Sequence, residues 1–317
     1  MDSTKVTVVI RTKDRELLLE RTLKSVLSQT YHNYTAVVVN DGGSRDKVDK
    51  LIKKFDDKRI KAVHNKQSIG RWPAANQGIK SQPSDYIVLL DDDDTWKPEF
   101  LKTTVDYLHN NQSKGVATSS LRIKEEVHGS EISKIDEAPY YTYDGLPILA
   151  YKLFQENLVP TNAFLFSRSA YDELGGYNES MQVSADWEFN RHFIELFDID
   201  TLPDALALIH HRFNAAADSS VSNTVIAGRL VHKQTEIRQL NNSFRNDIRA
   251  GAYKGILENE LRYQLKNQQK MQQDIDIIKQ QLHQLVLTNN QVKSLWPRAY
   301  TSLKRTVPKS IKERLKR

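Results

Sequence analysis

The sequence predicts an α/β protein, a mostly parallel sheet flanked by helices and followed by a helical C-terminal extension. Three observations predict it. Across the first third, strand-like apolar runs alternate with segments of helical period, the pattern of βαβ units. The 317 residues are 39% hydrophobic and 27% charged, enough apolar material for about two domains with real cores. After Thr235 the composition shifts to Gln, Asn, Leu and Ile, with apolar positions seven apart, which is a coiled-coil spacing.

The elements follow in order. Val6 to Ile10 reads as a strand, and Leu17, Leu18, Thr22, Leu23, Val26 and Leu27 lie on one helical face. Ala36 to Val39 is a second strand, and Val48, Leu51, Ile52 and Phe55 return to helical spacing. A short strand at Ile60 to His64 precedes a helix around Ala74 to Ile79, then a buried strand at Tyr86 to Leu90 and a helix at Pro98 to His109. The middle third predicts strands at Gly115 to Ile123 and Asn162 to Phe166, a helix near Leu146 to Glu156, and a helix at Ser184 to Arg191. In open α/β sheets ligands sit at the carboxyl ends of the strands. Here those ends are Arg11 to Arg15, Asn40 to Ser44 and Asp91 to Asp94.

Composition excludes several classes. There is no Cys, so neither a disulfide scaffold nor a thiolate metal centre. The net charge is +6, but residues 298–317 hold eight Lys/Arg and one acid, a net +7 that leaves the rest of the chain at −1. A nucleic-acid binder carries its basic footprint on the folded body, so that partner class is excluded. No apolar run reaches the ~18 residues of a membrane helix, and Met1 leads to Val6 without a signal-peptide core. The chain therefore reads as cytoplasmic, at most peripheral on a membrane.

Asp91-Asp-Asp-Asp94 after a buried strand is the strongest chemical signal. Two carboxylates about 4 Å apart repel by roughly 4 kcal/mol at an effective dielectric of 20. Crowding them needs a cation or a raised pKa, and carboxylate oxygens suit Mg²⁺ or Mn²⁺. A solvated acidic turn capping the next helix is the alternative. Asn40-Asp-Gly-Gly-Ser44 is a strand-to-helix loop, where Asp41 can accept from a ligand or cap the helix. Asp186 is either a general base or a first-turn helix acid. Trp187 is a weak candidate for stacking on an acceptor, with packing as its alternative.

Seven motifs stand in register over roughly residues 4–220: Val8-Val-Ile-Arg-Thr-Lys-Asp-Arg15, Leu27-Ser-Gln-Thr-Tyr31, Val39-Asn-Asp-Gly-Gly-Ser44, Gly70-Arg-Trp-Pro-Ala-Ala-Asn-Gln-Gly78, Leu90-Asp-Asp-Asp-Asp-Thr-Trp-Lys-Pro98, Leu174-Gly-Gly-Tyr-Asn-Glu179 and Ala185-Asp-Trp-Glu188. Together they resemble the family 2 glycosyltransferases of GT-A fold, with a nucleotide-binding, mostly parallel sheet. The resemblance implies a metal-dependent, inverting, hexosyltransferase-like enzyme. It would move a sugar from a nucleoside-diphosphate donor to a hydroxyl of a glycan or lipid-linked acceptor, in surface-polysaccharide or glycoconjugate synthesis. Thr12, Asp14 and Asp41 would face the nucleotide with Arg71 and Asn76 nearby, Asp91 or Asp92 would face the ribose, and His211 and Arg212 would close over the diphosphate. Asp91 and Asp93 would form the Asp-x-Asp, with Asp93 the direct ligand of Mn²⁺ or Mg²⁺, and Asp186 would be the base. The chain departs from the family in carrying Arg11 where many members have Pro, and Ala185 where many have Glu.

The expected domains are 1–225 (catalytic), 226–297 (helical or coiled coil) and 298–317 (basic amphipathic tail). A heptad reading of 257–296 puts Asn289 at a core position and suggests a homo-oligomer, with a helical hairpin as the alternative. The tail, with Leu303, Val307, Ile311 and Leu315 among its basic residues, suits the anionic inner face of a plasma membrane. Two other functions remain open at this point. One is a metal-dependent nucleotidyltransferase, although the loop after the first strand lacks the expected glycine. The other is a non-catalytic sugar-nucleotide-binding scaffold.

Overall fold

A computed structural model describes residues 4–128, 131–213, 221, 245–246, 249–251 and 254–306, except the side chains of 151, 254–256, 259 and 285–306. Residues 1–258 form one compact unit and 259–317 another. The expected boundary at 225 and the side chains of the basic tail lie outside the described residues.

Strands β1 (Val6–Thr12), β2 (Tyr34–Asp41), β3 (Ile60–Asn65) and β4 (Tyr86–Asp91) pair in parallel in the order β3-β2-β1-β4. Between them run α1 (Glu16–Leu27), α2 (Arg45–Phe55) and α3 (Arg71–Lys80). These are the four strands and three helices that the periodicity predicts. After β4 come the two-residue β5 (Thr95–Trp96), α4 (Phe100–Asn111), β6 (Gly115–His128) and β7 (Glu131–Pro139). Then follow α5 (Ala150–Gln155), β8 (Phe164–Ser167), α6 (Arg168–Leu174), α7 (Ala185–Leu196) and β9 (Asp200–Phe213). They extend the sheet past β4 in the order β8-β6-β9-β5, with β7 on β6. Here β8 is antiparallel to both β4 and β6, and β9 is parallel to β6.

The alternation of a strand with period two splits the core in two. Val6, Val8 and Ile10 of β1, Ala36 and Val38 of β2, and Val88 and Leu90 of β4 pack under α1, α2 and α4. Val9, Val37, Val39, Ile87 and Leu89 face the other way, toward α3, α6 and α7. Both faces being covered, these strands read as unbroken apolar runs.

Sequence periodicity missed β5, β7, β9 and α6, and α5 is shorter than the expected helix at 146–156. Strand β9 contains Pro203 and Asp204, both poor strand residues, and the β6–β9 register shifts just where they fall, between Thr118 and Ser120. An irregularity of this kind is where a sheet tolerates proline. The last element, α8 (Lys254–Thr306), is one continuous helix and not a hairpin. Among the described residues no helix is long and apolar enough to cross a membrane.

Helix α3 approaches the sheet closely through Gly78, where a Cβ would lie 2.6 Å from Val9 Cγ1 and 2.8 Å from Val39 Cγ2. Both valines are fully buried and stiff at χ1. Gly78→Ala gains about 1 kcal/mol of helix propensity but forces an overpacking cost of about 1–3 kcal/mol. We expect a net loss of roughly 1 kcal/mol in urea unfolding, and a larger one for Gly78→Val; an Ala variant more stable than wild type would refute the close packing.

Candidate active site

The site is built by strand register. Arg11 and Asp91 are direct Cα partners across β1 and β4, so their side chains share a face and the Arg11 guanidinium pairs with Asp91 Oδ1. Likewise Asp41 partners Asn65 across β2 and β3, and Asn65 Nδ2 donates to Asp41 Oδ1 at 3.0 Å. The Asp91–Asp94 run leaves the end of β4 and turns back, with Asp94 N donating to Asp91 O at 3.1 Å. All four aspartates line a cavity of about 630 Å³.

The four carboxylates have different fates. Asp91 is held below the usual carboxylate range: burial acts to raise it, but Arg11 and Arg71 beside it win. Asp92 is 3% exposed and receives Arg15 Nη1 at 2.7 Å, yet burial pushes it up to about 7. Asp93 receives Arg15 Nη2 at 3.0 Å and Arg212 Nη2, both on Oδ2. Asp94 points inward, where its carboxylate accepts from Asn162 Nδ2 at 2.9 Å and from His210 N at 3.0 Å. Burial and the neighbouring Asp93 raise it well above the ordinary value.

A second layer braces the aspartates. Glu125 on β6 accepts from Arg21 Nη1 at 2.6 Å and from His210 Nδ1 at 2.7 Å. Burial acts to raise Glu125, but the His210 hydrogen bond and Arg21 hold it below its usual value. An ionised carboxylate only accepts, so His210 carries its proton on Nδ1 and accepts at Nε2 from the Thr95 hydroxyl, 2.8 Å away. Burial lowers the His210 pKa, which keeps the ring neutral. Arg21 Nη2 also donates to Asp93 O at 2.6 Å.

Asp186 enters the same cavity from the start of α7. The preceding Ser184 sits at φ +63°, a left-handed turn that brings the chain into the helix. Asn157 Nδ2 donates to Asp186 Oδ2 at 2.9 Å. Burial raises the Asp186 pKa against the pull of Arg71. Arg71, at the first position of α3, thus acts electrostatically on Asp91 and Asp186 alike. Tyr140, Tyr141 and His211 complete the wall, with Tyr140 edge-on to His211 at 5.3 Å.

The profile of glycosyl transferase family 2 matches residues 7–175, more than half of the chain. The chain belongs to glycosyl transferase family 2. An uncharacterized glycosyltransferase of Rickettsia bellii is 32% identical over 197 residues, a match covering 56% of this chain and 28% of that protein. This family 2 chain thus spans under a third of that relative's length. Among solved structures, S. aureus TarS 1–349 in complex with UDP-GlcNAc superposes with TM-score 0.53 at 15% identity, over 67% of this chain and 60% of that one. The Pyrobaculum calidifontis mannosyltransferase PcManGT in complex with GDP-Man and Mn²⁺ gives TM-score 0.55 at 16% identity, over 82% and 73%. These likenesses show the GT-A fold.

The cavity gathers Thr12, Asp41, Arg71, Asp91, Asp92, Asp93, Asp186 and His211 from the sequence-predicted set. Four predicted residues are corrected. Asn76 is buried and saturated, donating to Tyr177 O and Glu179 Oε1 and accepting from the Tyr171 hydroxyl and Tyr177 N. It ties α3 to the Gly175–Gly176 turn and is not on the cavity wall. Asp14 is exposed and accepts from Ser44 N at 2.9 Å, joining the two loops, and is not among the cavity-lining residues. Arg212 lies behind Asp93 and not over the cavity, because β9 alternates: His210 and Arg212 point to Glu125 while His211 points to Tyr140. Trp187 touches the cavity but is 2% exposed, and its Nε1 donates to Leu153 O at 2.6 Å, so it packs the core.

Asp41 needs a finer reading. Its two oxygens accept from Asn65 Nδ2, Ile69 N, the Ser68 hydroxyl and Gly70 N. Burial acts to raise its pKa, but these donors hold it below the ordinary value. It therefore shapes the 65–70 loop at the cavity rim. Sequence reasoning missed Arg15, Asn157 and Glu125, and took Arg11 as a mere departure; only long-range register brings these four to the aspartates.

The raised pKa of Asp92 has a measurable consequence. Between about pH 4 and pH 7 the folded carboxyl holds a proton that the unfolded chain has released, so stability falls as pH rises through that window. Asp92→Asn removes the penalty. In urea unfolding it should exceed wild type at pH 8 by on the order of 1–2 kcal/mol, with the gap closing toward pH 4; a pH-independent difference would show that Asp92 titrates normally.

Proposed function

We propose that this chain is an inverting, hexosyltransferase-like glycosyltransferase that moves a sugar from a nucleoside-diphosphate donor to a hydroxyl of a glycan or lipid-linked acceptor. One observation carries the reading: a single cavity holds the β4-end carboxylates and, on a separate element, the Asp186 carboxylate, with Arg71 acting on both. Structural neighbours of the same fold in complex with UDP-GlcNAc, and with GDP-Man and Mn²⁺, support a donor of this class.

A divalent cation, Mn²⁺ or Mg²⁺, fits the donor set. Asp91 and Asp93 each give one oxygen to arginine and keep the other without a hydrogen bond among the described residues. Two such oxygens plus donor phosphates match the usual ligands of these ions. When bound, the ion would supply Lewis-acid stabilisation of the leaving diphosphate. The chain does the rest. Asp186, held at Oδ2 by Asn157, takes the proton of the acceptor hydroxyl as the hydroxyl oxygen attacks the anomeric carbon. Its burial-raised pKa brings it nearer to working pH, as a general base requires. Attack from the side opposite the leaving group inverts the anomeric carbon. Arg71 and His211 face the site of developing negative charge, and Thr12, Asp92 and Asp41 line the nucleotide end.

We further propose that residues 1–225 form the catalytic domain, followed by the helical region 226–297 and the tail 298–317. The eight basic residues of the tail suit an anionic membrane surface, where lipid-linked acceptors of surface-polysaccharide or glycoconjugate assembly reside.

Two measurements test this. A thermal-shift panel of UDP, GDP, TDP and CMP with and without Mn²⁺ should give a metal-dependent shift with one nucleotide, lost in Asp93→Asn; no shift with any of them would refute the donor site. With the donor so named, Asp186→Asn should keep the shift yet lower kcat by roughly 10²–10⁴. Wild-type kcat/KM should fall on acidification from a pH above the usual carboxylate range, and full activity in Asp186→Asn would overturn its role.

A further inference from the structure

The described part of the second unit is a single helix, so no other described element of that unit covers the apolar stripe along it. Met271, Ile275, Ile278 and Leu282 are between 40% and 61% exposed. They continue a repeat with Leu261, Gln268, Ile275, Leu282, Asn289 and Trp296 at a, and Leu257, Gln264, Met271, Ile278, Leu285 and Val292 at d. The spacing stays at seven residues throughout, with Gln264, Gln268 and Asn289 as its polar members. A straight helix drifts ~20° per heptad from such a stripe, so a strict seven-residue spacing over this length keeps one seam only if the helix supercoils about a partner.

The stripe's charges choose the partner. Asp274 falls at g and Lys279 at e five residues on. In a parallel, in-register pair of identical helices the g position of one strand meets the e position of the other at that offset. Asp274 would then meet Lys279 of the partner subunit, and the twofold axis repeats the contact. The same register sets Gln268 opposite its own copy, which lets a polar core position satisfy its partner and fix strand number. An antiparallel pair offers neither match.

We propose that residues 257–296 form a parallel, in-register two-stranded coiled coil with a second copy of this chain, joining two catalytic units in one molecule. The dimer does not depend on the reaction proposed above.

The full-length chain tests it directly, because it contains no cysteine. Light scattering should give twice the chain mass, and the double variant Ile275→Asp, Ile278→Asp should give the monomer mass while retaining the thermal unfolding of the catalytic unit. Met271→Cys, at d, should form a disulfide-linked dimer on mild oxidation, whereas Gln273→Cys, at f, should not. Asp274→Lys and Lys279→Asp should each dimerise more weakly alone and recover affinity when mixed. A monomeric wild type, a trimeric or larger mass, or cross-linking that favours Gln273→Cys would each overturn the proposal.

Discussion

Four consecutive aspartates at the end of a buried strand are the constraint from which this site is organised. Charge is costly in that position, and the register of β1 on β4 supplies the first answer by setting Arg11 beside Asp91. The remaining answers come from everywhere around: Arg15 from the loop after β1, Arg21 from α1, Arg71 from α3 and Arg212 from β9. Each guanidinium compensates a carboxylate or a carbonyl of the turn and at the same time docks the element that carries it. Thr22 on α1 adds its hydroxyl, within 2.9 Å of both Asp92 O and Asp94 O. The turn is thereby fixed from both sides of the sheet.

That fixing divides labour by alternation. Asp92 and Asp94 are the buried pair whose ionisation is suppressed, so they serve as hydrogen-bonding anchors. Asp91 and Asp93 each keep an oxygen without a hydrogen bond among the described residues, as Asp92 does at its buried Oδ2. A carboxylate held at one oxygen by a planar guanidinium presents the other in a set direction, which a more mobile lysine would not achieve. The Glu125–His210–Thr95 chain then locks the layer behind.

The sheet as far as β4 was legible because strands buried on both faces write continuous apolar runs, and because the connecting helices keep a clean helical period. The shared placement of Asp91, Asp93 and Asp186 on one cavity was legible for a related reason: carboxylates at a strand end and at a helix start occupy places where a fold of this class exposes side chains. Direction was not legible. Asn76 lies one helical turn from Arg71 and Trp72, both on the cavity, yet turns to Tyr171 and Tyr177. His211 and Arg212 are adjacent, and the strand sends them to opposite sides. Arg15, Asn157 and Glu125 act across 29 to 85 residues of sequence, a distance over which local pattern says nothing. Strand β9 hid behind Pro203, whose cost the irregular β6–β9 pairing absorbs.

The position of Asp186 is also secured from behind. Its helix α7 carries Trp187 and Arg191 on the buried side, with the Arg191 guanidinium 5.0 Å from the Trp187 ring centroid. Arg191 also pairs with Glu258, and both side chains are almost fully enclosed. Truncating one partner of such a pair strands a buried charge at a cost of about 3–5 kcal/mol, so the contact is a firm one. Glu258 belongs to the first turns of α8 and to the same compact unit as α7. This compact unit therefore does not end where its sheet ends at Phe213. It includes the beginning of the long helix, which braces α7 through the Arg191–Glu258 pair, while Asn157 holds the Asp186 carboxylate.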